Sequence, residues 1–362
     1  MKISVRKFGW QSWSTKDSIG NKFKIPRFNF APPNKGESRF TSSYTEKIHL
    51  KSPVSGWCSW YAFGNKISEE KILEQARWFK NYKKLPVEYI LIDDGWTKWG
   101  DWLMHDRDKF PGGMLKVSDS IRRLGFKPAI WFAPFLVDRN SRLAEVNSDW
   151  LVSIKSRFID GYNLTSWDKF MPYGKYLLNI KKKQVFSYLY HCLDRLLNKY
   201  KFQLIKLDFL YGIYFDPGLG NTEADFFLHN FFVYLRKNFP RVYTIACGCP
   251  LAPAVGAVDS MRIGPDSIII NPQINLPIVR GYLNQRRHRQ ILDNLKWRSR
   301  TRRYWNPDPD VYLCRTSLGF SDQKLLNWQK EVKKLKGNIF LGDDMTQLSY
   351  RRIEKYVLPL FE

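Results

Sequence analysis

The stretch "LIKLDFLYG", Leu204 to Gly212, sets a lysine and an aspartate two positions apart inside an otherwise apolar run. On a β-strand, residues two apart face the same side, so Lys206 and Asp208 share one surface. An ammonium beside a carboxylate favours its ionised form, the state a nucleophilic carboxylate needs. Arg262 and Asp266 in "MRIGPD" repeat the cation and carboxylate four residues apart. Displacement at a sugar's anomeric carbon uses two carboxyl groups in opposite states, one ionised and one protonated to serve the leaving oxygen. Asp208 fits the first role. Asp266 fits the second, with the negative charge of Asp208 holding its proton in place. Arg262 would anchor a hydroxyl or orient a carboxylate. Asp93 and Asp94, in "VEYILIDDGW", would accept hydrogen bonds from hydroxyls. The scheme needs no metal or cofactor.

Around these residues lie Trp57, Trp60, Trp96, Trp99, Trp102 and Trp131. An indole face packs on the apolar side of a pyranose while neighbouring polar groups bond its hydroxyls. Each residue taken singly has a structural reading: a core tryptophan, a salt bridge, an aspartate capping a turn. Their joint placement at the ends of apolar runs argues for a site.

Eight strand-length runs supply those ends: "VSGWCSWYAF", "VEYILIDDGW", "GFKPAIWFAPF", "LIKLDF", "YTIACGCP", "DSMRIGPD", "DVYLCR" and "NIFLGDD". Helical periodicity fills most of the gaps, as in "SEEKILEQARWFKNY", where Ser68 is placed to cap and Ile72, Leu73, Ala76 and Phe79 share a face. Alternating strands and helices predict an α/β fold, a TIM (β/α)8 barrel over residues 51–345. Residues 1–50 form a short irregular or β extension and 346–362 a C-terminal tail. A long insertion is expected between Trp131 and Lys206, and at most a turn or two of helix between Cys249 and Met261. Strand seven is expected to begin after "NPDPD". Carboxylates also end strand eight, as Asp343 and Asp344.

Hydrophobic residues at 44% supply a large core and exclude a disordered chain. No apolar run reaches membrane-spanning length, and "MKISVRKFGWQSWS" lacks a signal peptide's apolar segment. Five cysteines, an odd number, point to a reducing interior and a cytoplasmic protein. Cys247 and Cys249 form C-x-C with no matching pair downstream, which is not the ligand spacing of a zinc site. The net charge of +25 admits nucleic acid or an acidic polymer as partner, or a lysine-rich solubilising surface. Its densest stretch, Gln285 to Trp305, reads as an amphipathic helix with a basic outer face. Nucleic acid is not the expected partner.

Taken in order, "GWCSW", "LIDDGW", "AIWFAPF", "IKLDF", "CGCPL", "MRIGPD" and the "DPD" of Asp308 to Asp310 resemble the motifs of glycoside hydrolase family 36. These are the α-galactosidases, or melibiases, related to family 27 of the same clan. The resemblance covers roughly Val54 to Asp344. It implies that Asp208 is the nucleophile and Asp266 the acid/base, in a retaining mechanism with the two carboxyl groups about 5–5.5 Å apart. It implies further that Asp93 and Asp94 bind the galactose hydroxyls and that Trp131, Lys206 and Arg262 line the same subsite. Cys247 or Cys249 would face the sugar from the strand-five loop. Trp57 and Trp60 are added from the aromatic rim.

The chain departs from the family pattern in four places. On this resemblance, the β-sandwich that precedes the barrel in typical members is expected to be reduced to a remnant, "FGWQSWS", and the C-terminal β domain to be missing. The strand-five loop reads "CGCPLAP" where the best-known members are glycine-rich. A proline precedes "DPD" where an asparagine is usual. The expected substrate is an α-galactoside oligosaccharide, with oligomerisation open. Alternatives on this scaffold are a raffinose-synthase-like transferase and an α-N-acetylgalactosaminidase. A barrel that binds anionic glycan or nucleic acid without catalysis is the alternative of another class, and retention of Asp208, Asp266, Lys206 and Arg262 speaks against it.

Overall fold

The computed structural model describes residues 50–152, 174–268 and 277–362, the side chains of the last span from 283, and the backbone of 10–16 and 22–28. The apolar runs become short strands: β1 (Ser55–Cys58), β2 (Tyr89–Ile92), β3 (Lys127–Phe132), β4 (Leu204–Leu207), β5 (Tyr243–Ala246) and β6 (Ser260–Arg262). β7 comes in two pieces, Asn306–Asp308 and Val311–Tyr312, and β8 is Ile339–Leu341. Each strand pairs in parallel with the next. Both faces are covered, which is why the strands read as continuous apolar runs.

The ring closes through β7. Its first piece pairs with β6 and its second with β8, which pairs with β1. One chain segment therefore joins the two ends of the sheet, and eight strands make a barrel. The expected start of strand seven is corrected here, since the strand begins within "NPDPD" at Asn306 and is interrupted by Pro309 and Asp310. Proline has no N–H to give a ladder, and Asp310 sits at φ 75°, so pairing passes from one neighbour to the other at this point.

Helices α1 (Glu69–Asn81), α2 (Gly113–Arg123), α3 (Lys183–Asp194) and α4 (Asn221–Asn238) fill the first crossovers. In α1, Ser68 caps by accepting from Lys71 N, and Ile72, Ala76 and Phe79 are buried. Only a single turn, α5 (Leu251–Ala254), separates β5 from β6. The basic helix α6 (Pro277–Arg298) exposes Arg286 and Arg289 and buries His288, Ile291 and Leu295. Helix α7 (Asp322–Leu335) precedes β8 and is capped by Ser321.

At the base of the insertion after β3, Leu136–Val137 pairs antiparallel with Tyr176–Leu177. Residues 153–173, the body of that insertion, lie outside the described residues. In the N-terminal extension, Trp10–Lys16 pairs antiparallel with Lys22–Phe28. The C-terminal residues are helical turns against α7, where Gln329 Nε2 donates to the carbonyls of Lys355 and Tyr356.

Closure between β7 and β8 leaves no room at Gly337. A Cβ there would lie 2.0 Å from the Pro307 carbonyl oxygen, the same oxygen that accepts from Asn338 N at 3.0 Å. Gly337→Ala is expected to destabilise the protein by about 1–3 kcal/mol, seen as a lower midpoint in thermal unfolding. An unchanged midpoint would contradict this account of the seam.

Candidate active site

Register decides which side chains face inward. Cys58 pairs with Leu91, Leu91 with Ala129 and Ala129 with Leu204. Two residues further along these strands come Asp93, Trp131 and Lys206, on the same inward row. Trp131, Lys206 and Ile245 are paired in turn, which places Cys247 on that row as well. Lys206, Asp208, Asp93, Asp94, Trp131, Trp60, Cys247, Arg262 and Asp266 all line one cavity of about 250 Å³ at the C-terminal ends of the strands. That volume falls below the range usual for drug-sized ligands and suits a single sugar ring.

Two expected residues lie elsewhere. Trp57 pairs with Ile90, on the opposite row. It is wholly buried, edge-on to Phe63 at 6.1 Å, and donates from Nε1 to the Asp343 carbonyl at 2.8 Å. Trp57 is therefore core. Cys249 is also wholly buried, its thiol donating to the Pro250 carbonyl. Strand alternation would have kept it on the side of Cys247, but β5 has ended and Gly248 turns the chain at φ 54°. Asp343 and Asp344 hold structure rather than lining the cavity: Asp343 accepts from Cys314 N and pairs with Arg315, and Asp344 accepts from Gln75 and Thr346.

The ammonium of Lys206 is committed to Asp93, at 2.8 Å with both groups buried. This corrects the expectation that Lys206 serves Asp208 first. Burial is the largest single influence and works against the charged lysine, but Asp93, joined by Cys58, Cys247 and Asp208, holds Lys206 well above its ordinary pKa. The Cys58 thiol, raised by burial and then by Asp93, keeps its proton and donates to the same carboxylate at 3.3 Å. Asp208 is fixed by N–H donors instead: Trp131 Nε1 at 3.0 Å and Phe209 N at 2.7 Å. Phe209 reaches that position in the left-handed region, φ 53°, uncommon for a bulky residue.

Around Asp266 the arrangement also departs from expectation. Its side chain is 59% exposed and pairs with Arg262 Nη2 at 3.0 Å. Arg262 is buried, and its Nη1 pairs with Asp310 at 2.8 Å. Three polar cavity-lining residues were missed from the sequence, Tyr61, Tyr211 and Asp310, while Trp99 of the aromatic rim lines the cavity as well. Trp99 donates to Asp94 at 2.7 Å, and Tyr61 donates to Asp310. The signal for Asp310 lay in "NPDPD", where prolines flanking Asp308 mark the strand break that turns the next carboxylate inward. Tyr61 follows the last tryptophan of "GWCSW" with no pattern of its own.

Among the described residues, no three His, Cys, Asp or Glu side chains gather as a metal site requires. No helix among the described residues is long and apolar enough to cross a membrane.

A closed (β/α)8 barrel whose strand ends carry balanced cations and carboxylates around a tryptophan-walled cavity has the layout of a TIM-barrel enzyme. Residues 49–248, more than half of the chain, match the Melibiase family, and the chain belongs to it. It is 29% identical over 222 residues to an α-galactosidase of Escherichia coli, a match covering 58% of this chain and 28% of that relative. A shorter match, 43% over 89 residues, is to a probable α-galactosidase B of Talaromyces emersonii and covers 22% of this chain and 20% of that one. In fold it is similar to an α-galactosidase from Thermus thermophilus in complex with p-nitrophenyl α-D-galactopyranoside. The TM-score is 0.70 at 24% identity, covering 87% of this chain and 63% of that one. A family 36 α-galactosidase from Geobacillus stearothermophilus gives 0.62 at 17%, covering 94% and 46%. The chain thus matches less than a third of the length of its Escherichia coli relative.

Burial, offset by the Trp99 hydrogen bond, pushes Asp94 up to about 7. A carboxyl raised above its unfolded pKa, near 4, binds its proton more tightly in the folded protein. The penalty for ionising it is absent below about pH 4 and grows until pH passes about 7. Asp94→Asn removes that penalty while its amide oxygen still accepts from Trp99. The variant is expected to gain thermal stability over the parent as pH rises from 4 to 8. A difference that stays flat across this range would show that Asp94 is not held protonated.

Proposed function

We propose that the protein is a retaining, exo-acting α-galactosidase that removes terminal α-D-galactosyl residues by double displacement. The observation that carries the reading is that Asp208 and Asp266 border one sugar-sized cavity, with Asp93 and Asp94 on the same wall. Membership of the Melibiase family supports the choice of sugar.

An Asp208 oxygen attacks C1, the bond from C1 to the leaving oxygen breaks, and the proton of Asp266 passes to that oxygen. A galactosyl ester of Asp208 results. Water then attacks C1, gives its proton back to Asp266, and releases galactose and the Asp208 carboxylate. The Trp131 and Phe209 donors aim the nucleophile. Arg262, which lines the cavity and pairs with both Asp266 and Asp310, orients those carboxylates. Buried cysteines that form no disulfide among the described residues support a reducing compartment, and we propose the cytoplasm.

Aryl α- and β-glycosides, with the product anomer followed by NMR, test the class: α-galactosides alone should turn over, with retention. A sucrose-type acceptor in the same assay would expose transfer in place of hydrolysis. Asp208→Asn is expected to abolish turnover of an activated aryl α-galactoside; wild-type rates in that variant would remove Asp208 from the nucleophilic role. Asp266→Ala is expected to lose about 10²–10⁴-fold on substrates with poor leaving groups and far less on activated ones. Equal loss on both would contradict an acid role.

A further inference from the structure

Asp266 is the one exposed residue of an otherwise buried stretch just beyond β6, and one buried carboxylate fixes that stretch from behind. Asp310 Oδ1 pairs with Arg262 Nη1 at 2.8 Å, while Arg262 Nη2 holds Asp266. Asp310 Oδ2 accepts from Ser267 N, the backbone amide directly after Asp266, at 2.7 Å. The Tyr61 hydroxyl donates to the same oxygen, and Ser267 is tied again through its Oγ to the Val311 carbonyl. Asp310 thus grips both the cation on the Asp266 side chain and the peptide that carries it.

The charges matter as much as the grip. Arg262 alone beside Asp266 would favour the carboxylate and spoil it as a proton donor. A second, buried anion on the same guanidinium offsets that cation and repels charge on Asp266. We infer that Asp310 is the positioning residue that keeps Asp266 able to carry its proton, acting through Arg262 and the Ser267 amide. The inference rests on the reading of Asp266 as the acid. Asp310 itself is pushed up to about 6, by burial first, against the pull of Arg262, with Asp266 adding repulsion and Lys206 opposing it. The other groups facing this network are Tyr61, whose phenol burial keeps protonated, and Cys247, at 3.8 Å from Arg262. Asp208 lies across the same cavity.

The sign follows. Above about pH 6 the Asp310 charge is present and offsets the Arg262 charge beside Asp266. Below it Asp310 is neutral, and an asparagine there changes little electrostatically. Asp310→Asn is therefore expected to move the alkaline limb of kcat/KM by about one pH unit toward acid. The loss would be about tenfold at pH 8 on a poor leaving group, small on an activated aryl galactoside, and would shrink below pH 6. Tyr61→Phe keeps the charge but removes a donor that stabilises it, and is expected to move the limb the same way by less. This second variant carries the test if Asp310→Asn does not fold. An unmoved limb in the folded variants, or equal loss on both leaving groups, would overturn the inference while leaving the glycosidase reading intact. A wild-type protein inactive on every α-glycoside would overturn both.

Discussion

Two cations are buried at the mouth of this barrel, and the placing of its carboxylates follows from neutralising them. Taking an ammonium or guanidinium out of water costs several kcal/mol unless an anion meets it with good geometry. Lys206 meets Asp93 across the mouth, and Arg262 meets Asp310 at the break in β7. Deleting one member of such a pair strands the other charge at a cost of about 3–5 kcal/mol. The first pair links the end of β2 to β4 and the second links β6 to the break in β7, so the same contacts that shape the cavity help to hold the strand ends in register.

The two aspartates proposed for chemistry sit in contrasting surroundings. Asp208 is partly buried and clamped by two N–H donors, one from an indole and one from the peptide that follows it. Asp266 is exposed and tied through a shared guanidinium. A carboxylate meant to attack gains from fixed aim, whereas one meant to exchange protons with water and a leaving group gains from access. The barrel supplies the difference with local geometry alone: a left-handed Phe209 on one side and a two-anion, one-cation chain on the other.

Most of the architecture was legible because it rests on periodicity. Apolar runs with helical segments between them gave the eight-strand barrel, and alternation put Lys206 and Asp208 on one surface. Alternation misled where strands stop being strands. Gly248 reversed the side that alternation gives Cys249, whereas Trp57, expected from the aromatic rim, sits off the inward row as alternation from Trp60 requires. Pairing partners were the harder part. Nothing local in "IKLDF" says that Lys206 reaches Asp93, which is 113 residues away in the chain. Asp343 and Asp344 shared the rim pattern yet are consumed by Arg315, Gln75 and Thr346, partners that only tertiary structure supplies.

The interruption in β7 ties durability to function. Asp310 occupies the junction where ladder pairing switches from β6 to β8, so the last hydrogen bonds closing the cylinder flank the residue that steadies Asp266. Local opening at such a junction takes less free energy than melting the whole barrel. Warming would then silence turnover before spectroscopic signs of unfolding emerge, and heat-resistant descendants of this chain would be sought first among changes that tighten residues 306–312.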